Sequence, residues 1–296
     1  MIISGRKIIK GLLTLSIIAI IIGVIATGMQ LSSSSYIALI RIDGEIGEQS
    51  SSYWSKSRSS FLQQLQTAAN DPSVKAIVLR INSPGGSAAA SQELYHTVLQ
   101  IRQQGIPVVA SLGDTAASGG YYVAAAADYI LAQGSTITGS IGVIMQTVNL
   151  EELYEKIGIE VQTIKSGQFK DTGNASRPLT DAEIELLSEL INDAWDQFVN
   201  DVATARKLDR QAVEAVADGR ILTGRQALHA GLIDELGGLE EAIQKAAEFA
   251  GIQSSYLVRT YEQSTSLLDR LMDLTSKIPF IKGSWPSQIL SMRYQL

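Results

Sequence analysis

Val74 to Ile81 reads VKAIVLRI, a run in which only Lys75 and Arg80 are polar and half the residues are β-branched. Such a run fits a strand buried on both faces, as the strands of a parallel sheet are. That constrains the rest of the chain, because parallel neighbours need long crossovers, usually helical. The flanking segments have this form. Strands are expected at Tyr36 to Ile42, Pro107 to Leu112, Tyr129 to Ala132, Ile141 to Val148 and Val161 to Ile164. Helical patterns cover Phe61 to Ala69, Ser87 to Gln104, Tyr121 to Ala127 and Glu151 to Ile157, with breaks at Asn70-Asp71-Pro72 and Gly105. Alternation of this kind over residues 36–165 predicts an α/β domain with parallel sheet content. From Thr180-Asp181-Ala182-Glu183 onward, to about residue 250, the pattern turns helical, with acidic residues in the first turn. Residues 252–296 carry an amphipathic patch (Ser266 to Leu274) and then a tail with Pro, Gly and Trp.

Before this domain stands Gly11 to Met29, which has no charged residue and is dominated by Ile, Leu, Val and Ala. At about 1.5 Å per residue it comes close to crossing a hydrocarbon core about 30 Å thick. Arg6, Lys7 and Lys10 precede it and the uncharged, serine-rich Leu31 to Tyr36 follows. The positive-inside rule then puts the N-terminus in the cytoplasm and the rest outside, as a single-pass protein of the cell membrane. A cleavable signal peptide is the alternative, with Ala26-Thr27-Gly28 as its cleavage site, although its apolar core is usually shorter, about 7–15 residues. The expected organisation is a cytoplasmic stub and anchor at 1–30, a catalytic domain at 31–250 and a tail at 251–296.

Several chemistries are disfavoured. A net charge of −6 argues against a nucleic-acid partner. The absence of cysteine excludes disulfides, thiolate nucleophiles and thiolate metal ligands. His96 and His229 both fall in helical stretches away from any glycine-rich turn, so they read as surface or packed helix residues rather than triad members. No His, Asp or Glu cluster has ligand spacing, and no metal or cofactor is expected.

Three small, glycine-bearing turns each follow an expected strand: Asn82-Ser83-Pro84-Gly85-Gly86-Ser87, Asp114 to Gly120, and Thr138-Gly139-Ser140-Ile141-Gly142. In parallel sheets, strand-to-helix turns open at the carboxyl ends, where ligands bind. Paired glycines there let the backbone approach a substrate and aim N–H groups at it, as an oxyanion hole requires. Ser118 sits where a nucleophile would be useful, with the Gly119 N–H beside it. A second reading of Ser118 is a simple helix N-cap, a common role for serine.

The pieces INSPGG (Ile81 to Gly86), ASGGYY (Ala117 to Tyr122), TGSIGV (Thr138 to Val143), KSGQFKD (Lys165 to Asp171) and GRILTGRQALHAGLIDELGG (Gly219 to Gly238) occur in order. Together they resemble the signal peptide peptidase A family of serine peptidases over about residues 36–250. The resemblance implies a ClpP/crotonase-like parallel-sheet spiral with a helical extension, preceded here by one transmembrane helix. It implies Ser118 as nucleophile, Lys170 as general base and Ser140 as the hydroxyl that positions the lysine. The N–H groups of Gly119 and of Gly85 or Gly86 would form the oxyanion hole. It further implies peptide substrates, cleaved signal peptides and other short apolar or misfolded membrane-associated chains among them. Self-association into a homo-oligomeric ring is also implied, with serine and lysine from neighbouring subunits and no activity in the monomer.

A lysine base makes its own demand. With an ordinary pKa of about 10.4, only about one lysine in 2,500 is neutral at pH 7. Asp171, adjacent to Lys170, must therefore point away or be occupied elsewhere. Lys165 competes with Lys170 for the role. Three other functions share some of these features: a related membrane serine peptidase with a different client, which is the nearest alternative, an acyl-CoA hydratase-like enzyme of the same fold, which needs no serine–lysine pair, and a non-catalytic membrane ring scaffold. The tail from Tyr256 to Leu296 is expected to lie over the site or be trimmed by it.

Overall fold

The computed structural model describes residues 35–47, 58–252, 256–261 and 293–294. The expected anchor at Gly11 to Met29 and the Ser266 to Leu274 patch lie outside the described residues. No helix of the described residues is long and apolar enough to cross a membrane.

In chain order the elements are β1 (Tyr36–Asp43), α1 (Arg58–Ala69), β2 (Val74–Ser83), β3 (Gly86–Ser87), α2 (Ala88–Gln103), β4 (Val108–Ala117) and α3 (Gly119–Ala125). There follow β5 (Tyr129–Ala132), β6 (Ile137–Gly139), α4 (Glu151–Lys156), α5 (Asp181–Arg206) and α6 (Arg210–Glu214). The chain continues through β7 (Ile221–Thr223), α7 (Gly224–His229), β8 (Glu235–Leu236), α8 (Leu239–Phe249), β9 (Leu257–Tyr261) and β10 (Arg293–Tyr294).

The VKAIVLRI run is the heart of the sheet. β2 lies parallel to β1 on one side (Ile37 opposite Ala76, Ile42 opposite Ile81) and to β4 on the other (Ile77 opposite Val108, Ile81 opposite Leu112). Its side chains alternate between two apolar layers. Ile77, Leu79 and Ile81 join Ile40, Ile42, Val108 and Ala110 against α1, α2, α3 and α5. Ala76 and Val78 join Ile37, Leu39, Val109 and Leu131 against Ala242, Ala246 and Ala247 of α8. Helices on both faces explain why the strand reads as nearly continuous apolar sequence.

β4 runs five residues beyond its expected end at Leu112, through the segment read as a turn. The reason is a change of neighbour. Its first half pairs with β5 (Val109 opposite Tyr129) and its second half with β6 (Thr115 opposite Ile137), both parallel. β5 carries β8 and β6 carries antiparallel β7, so the sheet divides into two branches at β4. This is the ClpP-like parallel architecture that the motifs implied.

Two expected strands do not form. Ile141 to Val148 has no regular structure apart from a single bridge position at Ile144, and Val161 to Ile164 has none and is fully on the surface. An apolar β-rich run becomes a strand only with a partner edge, and among the described residues neither run pairs along a strand beyond that single bridge position. The helix between them, α4, buries no residue. The segment from Ile144 to Phe169 therefore presents Val148, Leu153, Ile157, Val161 and Ile164 to the outside.

The expected helix start at Thr180 is present as a capping box: the Thr180 hydroxyl accepts from the Glu183 N–H while the Glu183 carboxylate accepts from the Thr180 N–H. α5 anchors the sheet-side helices through Phe198, whose ring stacks on Tyr122 with centroids 4.3 Å apart. The Tyr95 hydroxyl donates to the Asp201 carbonyl at 3.0 Å, and the Tyr122 hydroxyl donates to the Asp201 carboxylate. Tyr122 is in α3, the helix that Ser118 opens. Replacing the fully buried Phe198 with alanine is expected to cost about 3–5 kcal/mol, read as a lower urea midpoint with an unchanged slope.

Candidate active site

The three small-residue turns converge because β2, β4 and β6 are neighbours and the turns lie at their carboxyl ends. Ser118 has φ 54° and ψ −120°, a left-handed conformation that a serine adopts only under constraint. The constraints are visible. The Ser118 N–H donates to the Gly139 carbonyl at 2.8 Å, tying it to the end of β6, and its carbonyl accepts from the Tyr122 N–H at 2.9 Å. The turn is also packed too tightly for side chains. A Cβ on Gly119 would stand 2.3 Å from the Ser91 hydroxyl, and one on Gly120 would stand 2.8 Å from the Ser83 carbonyl.

Ser118 is not a side-chain cap. It occupies the position before α3 without making the cap hydrogen bond. Its hydroxyl is wholly buried and has no hydrogen-bond partner among the described residues. A buried hydroxyl left unpaired costs about 1–3 kcal/mol, so the fold carries both strain and an unpaired group at this residue.

The SPGG turn supplies the opposite wall. Gly85 and Gly86 have φ of 109° and 148°. The Gly85 N–H donates to the Ser83 hydroxyl at 3.1 Å and is thereby occupied. Gly86 is pressed against the chain at Ile46, whose carbonyl would be 2.1 Å from any Cβ there. Gly86 and Ser87 form an edge, β3, on which Tyr294 and Arg293 of β10 pair antiparallel. Of the chain beyond residue 261, only this two-residue pairing falls among the described residues.

Ser140, at the third turn, is also left-handed (φ 51°) and nearly buried. Its N–H donates to the Arg220 carbonyl at 2.8 Å. It opens onto a cavity of about 530 Å³ lined by Ile144, Ile191, Trp195 and Ile221 among others.

Ser118, Ser140 and the glycines come together; Lys170 does not join them. Lys170 lies on the exposed 158–170 segment, and its ammonium has no ion pair or side-chain hydrogen bond among the described residues. Lys165, the competing lysine, is committed as a donor, to the Asp171 carboxylate at 2.6 Å and the Gln168 carbonyl at 2.9 Å. Asp171 is further held by Arg177 at 3.1 Å. The Arg177 guanidinium and the Lys165 ammonium keep the Asp171 carboxyl well below its ordinary value, at about 2. Asp171 is therefore occupied elsewhere, as a lysine base next to it requires.

His96 and His229 are exposed on helices, and His96 packs edge-on against Tyr95. Among the described residues no group of His, Asp and Glu could hold a metal ion.

Comparison with known proteins places the chain in a family. The chain matches the profile of peptidase family S49 over residues 100–253 and that of Clp protease over residues 22–166. A Synechocystis sp. protein with a provisional protease name is 42% identical over 241 residues, covering 81% of this chain and 84% of that one. "Serine protease SPPA, chloroplastic" of Arabidopsis thaliana is 38% identical over 221 residues, 73% of this chain and 32% of its own length. "Protease 4" of Haemophilus influenzae is 32% identical over 247 residues, 81% of this chain but 40% of its own length. The chain thus spans well under half of the two longer relatives. The family match over more than half of the chain, with the nearly full-length Synechocystis identity, makes it a member of peptidase family S49, a serine peptidase of the SppA kind.

Proposed function

We propose that the chain is a membrane-anchored endopeptidase in which Ser118 is the nucleophile and Lys170 the general base. The observation that carries this reading is the Ser118 hydroxyl, held in a strained backbone, buried and unpaired. Strain and an unsatisfied polar group at one residue are typical of a group kept for chemistry. Lys170 takes the Ser118 proton, and the alkoxide attacks the peptide carbonyl. The oxyanion is received by the N–H groups of Gly119 and Gly86, since the Gly85 N–H is already bonded to Ser83. The lysine then protonates the leaving amine, and water releases the acyl group. Ser140 orients the lysine.

The substrate class is supported by the β3 edge, where an extended segment, β10, already pairs antiparallel. A bound peptide would use the same main-chain groups, the strand-addition mode of recognition. The apolar cavity beside Ser140 suits small or apolar side chains, in keeping with signal peptides and other short apolar chains. An anchor at Gly11 to Met29, with the N-terminus cytoplasmic, would hold the site just outside the bilayer.

Lys170 stands apart from Ser118 in one chain, which supports a homo-oligomeric ring with the two residues from neighbouring copies. The unburied apolar side chains between Ile144 and Phe169 are the surface such a neighbour would cover.

Ser118→Ala in the assembled full-length protein is expected to lower hydrolysis of a synthetic signal peptide at least about 1,000-fold. Its stability should be unchanged or higher by up to about 1 kcal/mol, because no hydrogen bond is lost. Full activity in that variant would return Ser118 to a purely structural role. Mixed rings of Ser118→Ala and Lys170→Ala copies should regain about a quarter of the native rate, the share of interfaces that pair an intact serine with an intact lysine. Inactive mixed rings would mean that each copy closes its own dyad.

A further inference from the structure

Asp171 sits beside the proposed base in sequence, yet its carboxylate is taken up by a network drawn from three places. Lys165 reaches it from the segment before, at 2.6 Å. Arg177 reaches it from the segment after, with Nε 3.1 Å from Oδ2 and a second nitrogen 3.0 Å from Oδ1. Arg177 is itself clamped by Glu183 of the first turn of α5, with its two terminal nitrogens 2.6 and 2.8 Å from the two carboxylate oxygens. Glu183 is almost wholly buried, accepts from Thr172 at 3.2 Å, and also closes the capping box with Thr180. These are the charged groups bonded to the network among the described residues. Two cations and two carboxylates balance within it.

We propose that Arg177, fixed by Glu183, and Lys165 are positioning residues that hold the Asp171 carboxylate away from Lys170, so that the lysine meets Ser118 without an anionic partner. This rests on the reading of Lys170 as the base. The physical need is specific. A carboxylate that is free one residue from the base would pair with the ammonium and hold the proton on it, since an opposite charge within about 4–6 Å favours the charged form. Two cations on the carboxylate remove that option. The depressed Asp171 carboxyl, near 2, stays ionised throughout any assay range, so the network itself does not titrate there. Its contribution is present above the ordinary carboxyl range and lost only as the pH falls towards 2.

The role differs from ordinary loop bracing in its readout. Bracing alone would lower the rate at every pH. Loss of the clamp with Asp171 retained should instead move the acid limb of the pH profile.

The test is kcat/KM for hydrolysis of a synthetic signal peptide from pH 5 to 10 by the assembled full-length protein. Lys165→Met removes one cation at a partly exposed position, and Arg177→Gln removes the other. Each is expected to shift the acid limb up by about half to one pH unit, a loss of about 3- to 10-fold at pH 7 that is recovered at high pH. Adding Asp171→Asn to Lys165→Met should bring the limb back to its native position. A lower plateau with an unmoved limb, or a shift that Asp171→Asn does not reverse, overturns the proposal. Lys165→Met carries the test if Arg177→Gln, which strips a partner from buried Glu183, fails to fold. Lys170→Ala is measured alongside. Native activity in that variant would overturn the assignment of the base, an outcome distinct from an unmoved limb in an enzyme that needs Lys170.

Discussion

The structure depends on β4 serving two sets of neighbours along a single strand. Its first half is locked between β2 and β5, and its second half runs on beside β6. Nearly all of it is buried, so each residue must find main-chain partners within the sheet. A strand so held cannot slip, because a shift of one residue would reverse every side chain between the two apolar layers. Ser118 is the residue immediately after it, and the geometry of the site is inherited from that register.

Where β4 ends, the chain must turn at once into α3, because Tyr121 and Tyr122 are buried and committed to partners. The Tyr121 hydroxyl donates to the Leu232 carbonyl at 2.8 Å, and Tyr122 stacks on Phe198. With β6 fixing the Ser118 N–H from the other side, the only turn left passes through a left-handed serine. The region beyond residue 181 thus bears on the site, where it also supplies the Arg220 carbonyl bonded to the Ser140 N–H and the Ile191 and Trp195 walls of the cavity. It holds down the far end of the turn. Backbone strain of about 1–3 kcal/mol at one residue persists only when the surroundings over-determine it, and here they do.

The sheet was legible in the sequence where strands are buried on both faces. VKAIVLRI and its neighbours carry a β-rich apolar signal that needs no context. The end of β4 was not legible, because Gly113 to Ala117 has turn-like composition and is strand only by virtue of β6. β6, β7 and β8 are two or three residues long, too short for a period of two to show. The opposite error arose at Ile141 to Val148 and Val161 to Ile164, where composition suits a strand but the described residues offer no edge beyond one bridge position at Ile144. Of the candidate site, the glycine turns and Ser118 could be read from motifs. The clamp on Asp171 could not, because Arg177 and Glu183 lie six and twelve residues beyond it and acquire meaning only when α5 begins where it does.

These parts differ in what holds them. Ser118, the glycine turns and Ser140 are embedded in the sheet and its helices, each fixed by backbone bonds and close packing. Lys170 rides on a segment whose regular element, α4, buries nothing. On the proposed reading this division has a physical consequence. A nucleophile needs precise placement, which the sheet supplies at the cost of strain. A lysine on an exposed, apolar arm acquires a dry surrounding only when another surface covers it. Covering that arm would bury Val161 and Ile164, remove water from around the ammonium, and bring the base to a serine that has waited without a partner. Assembly would then be the step that completes the enzyme, and a single copy outside the ring would hold a nucleophile with nothing to take its proton.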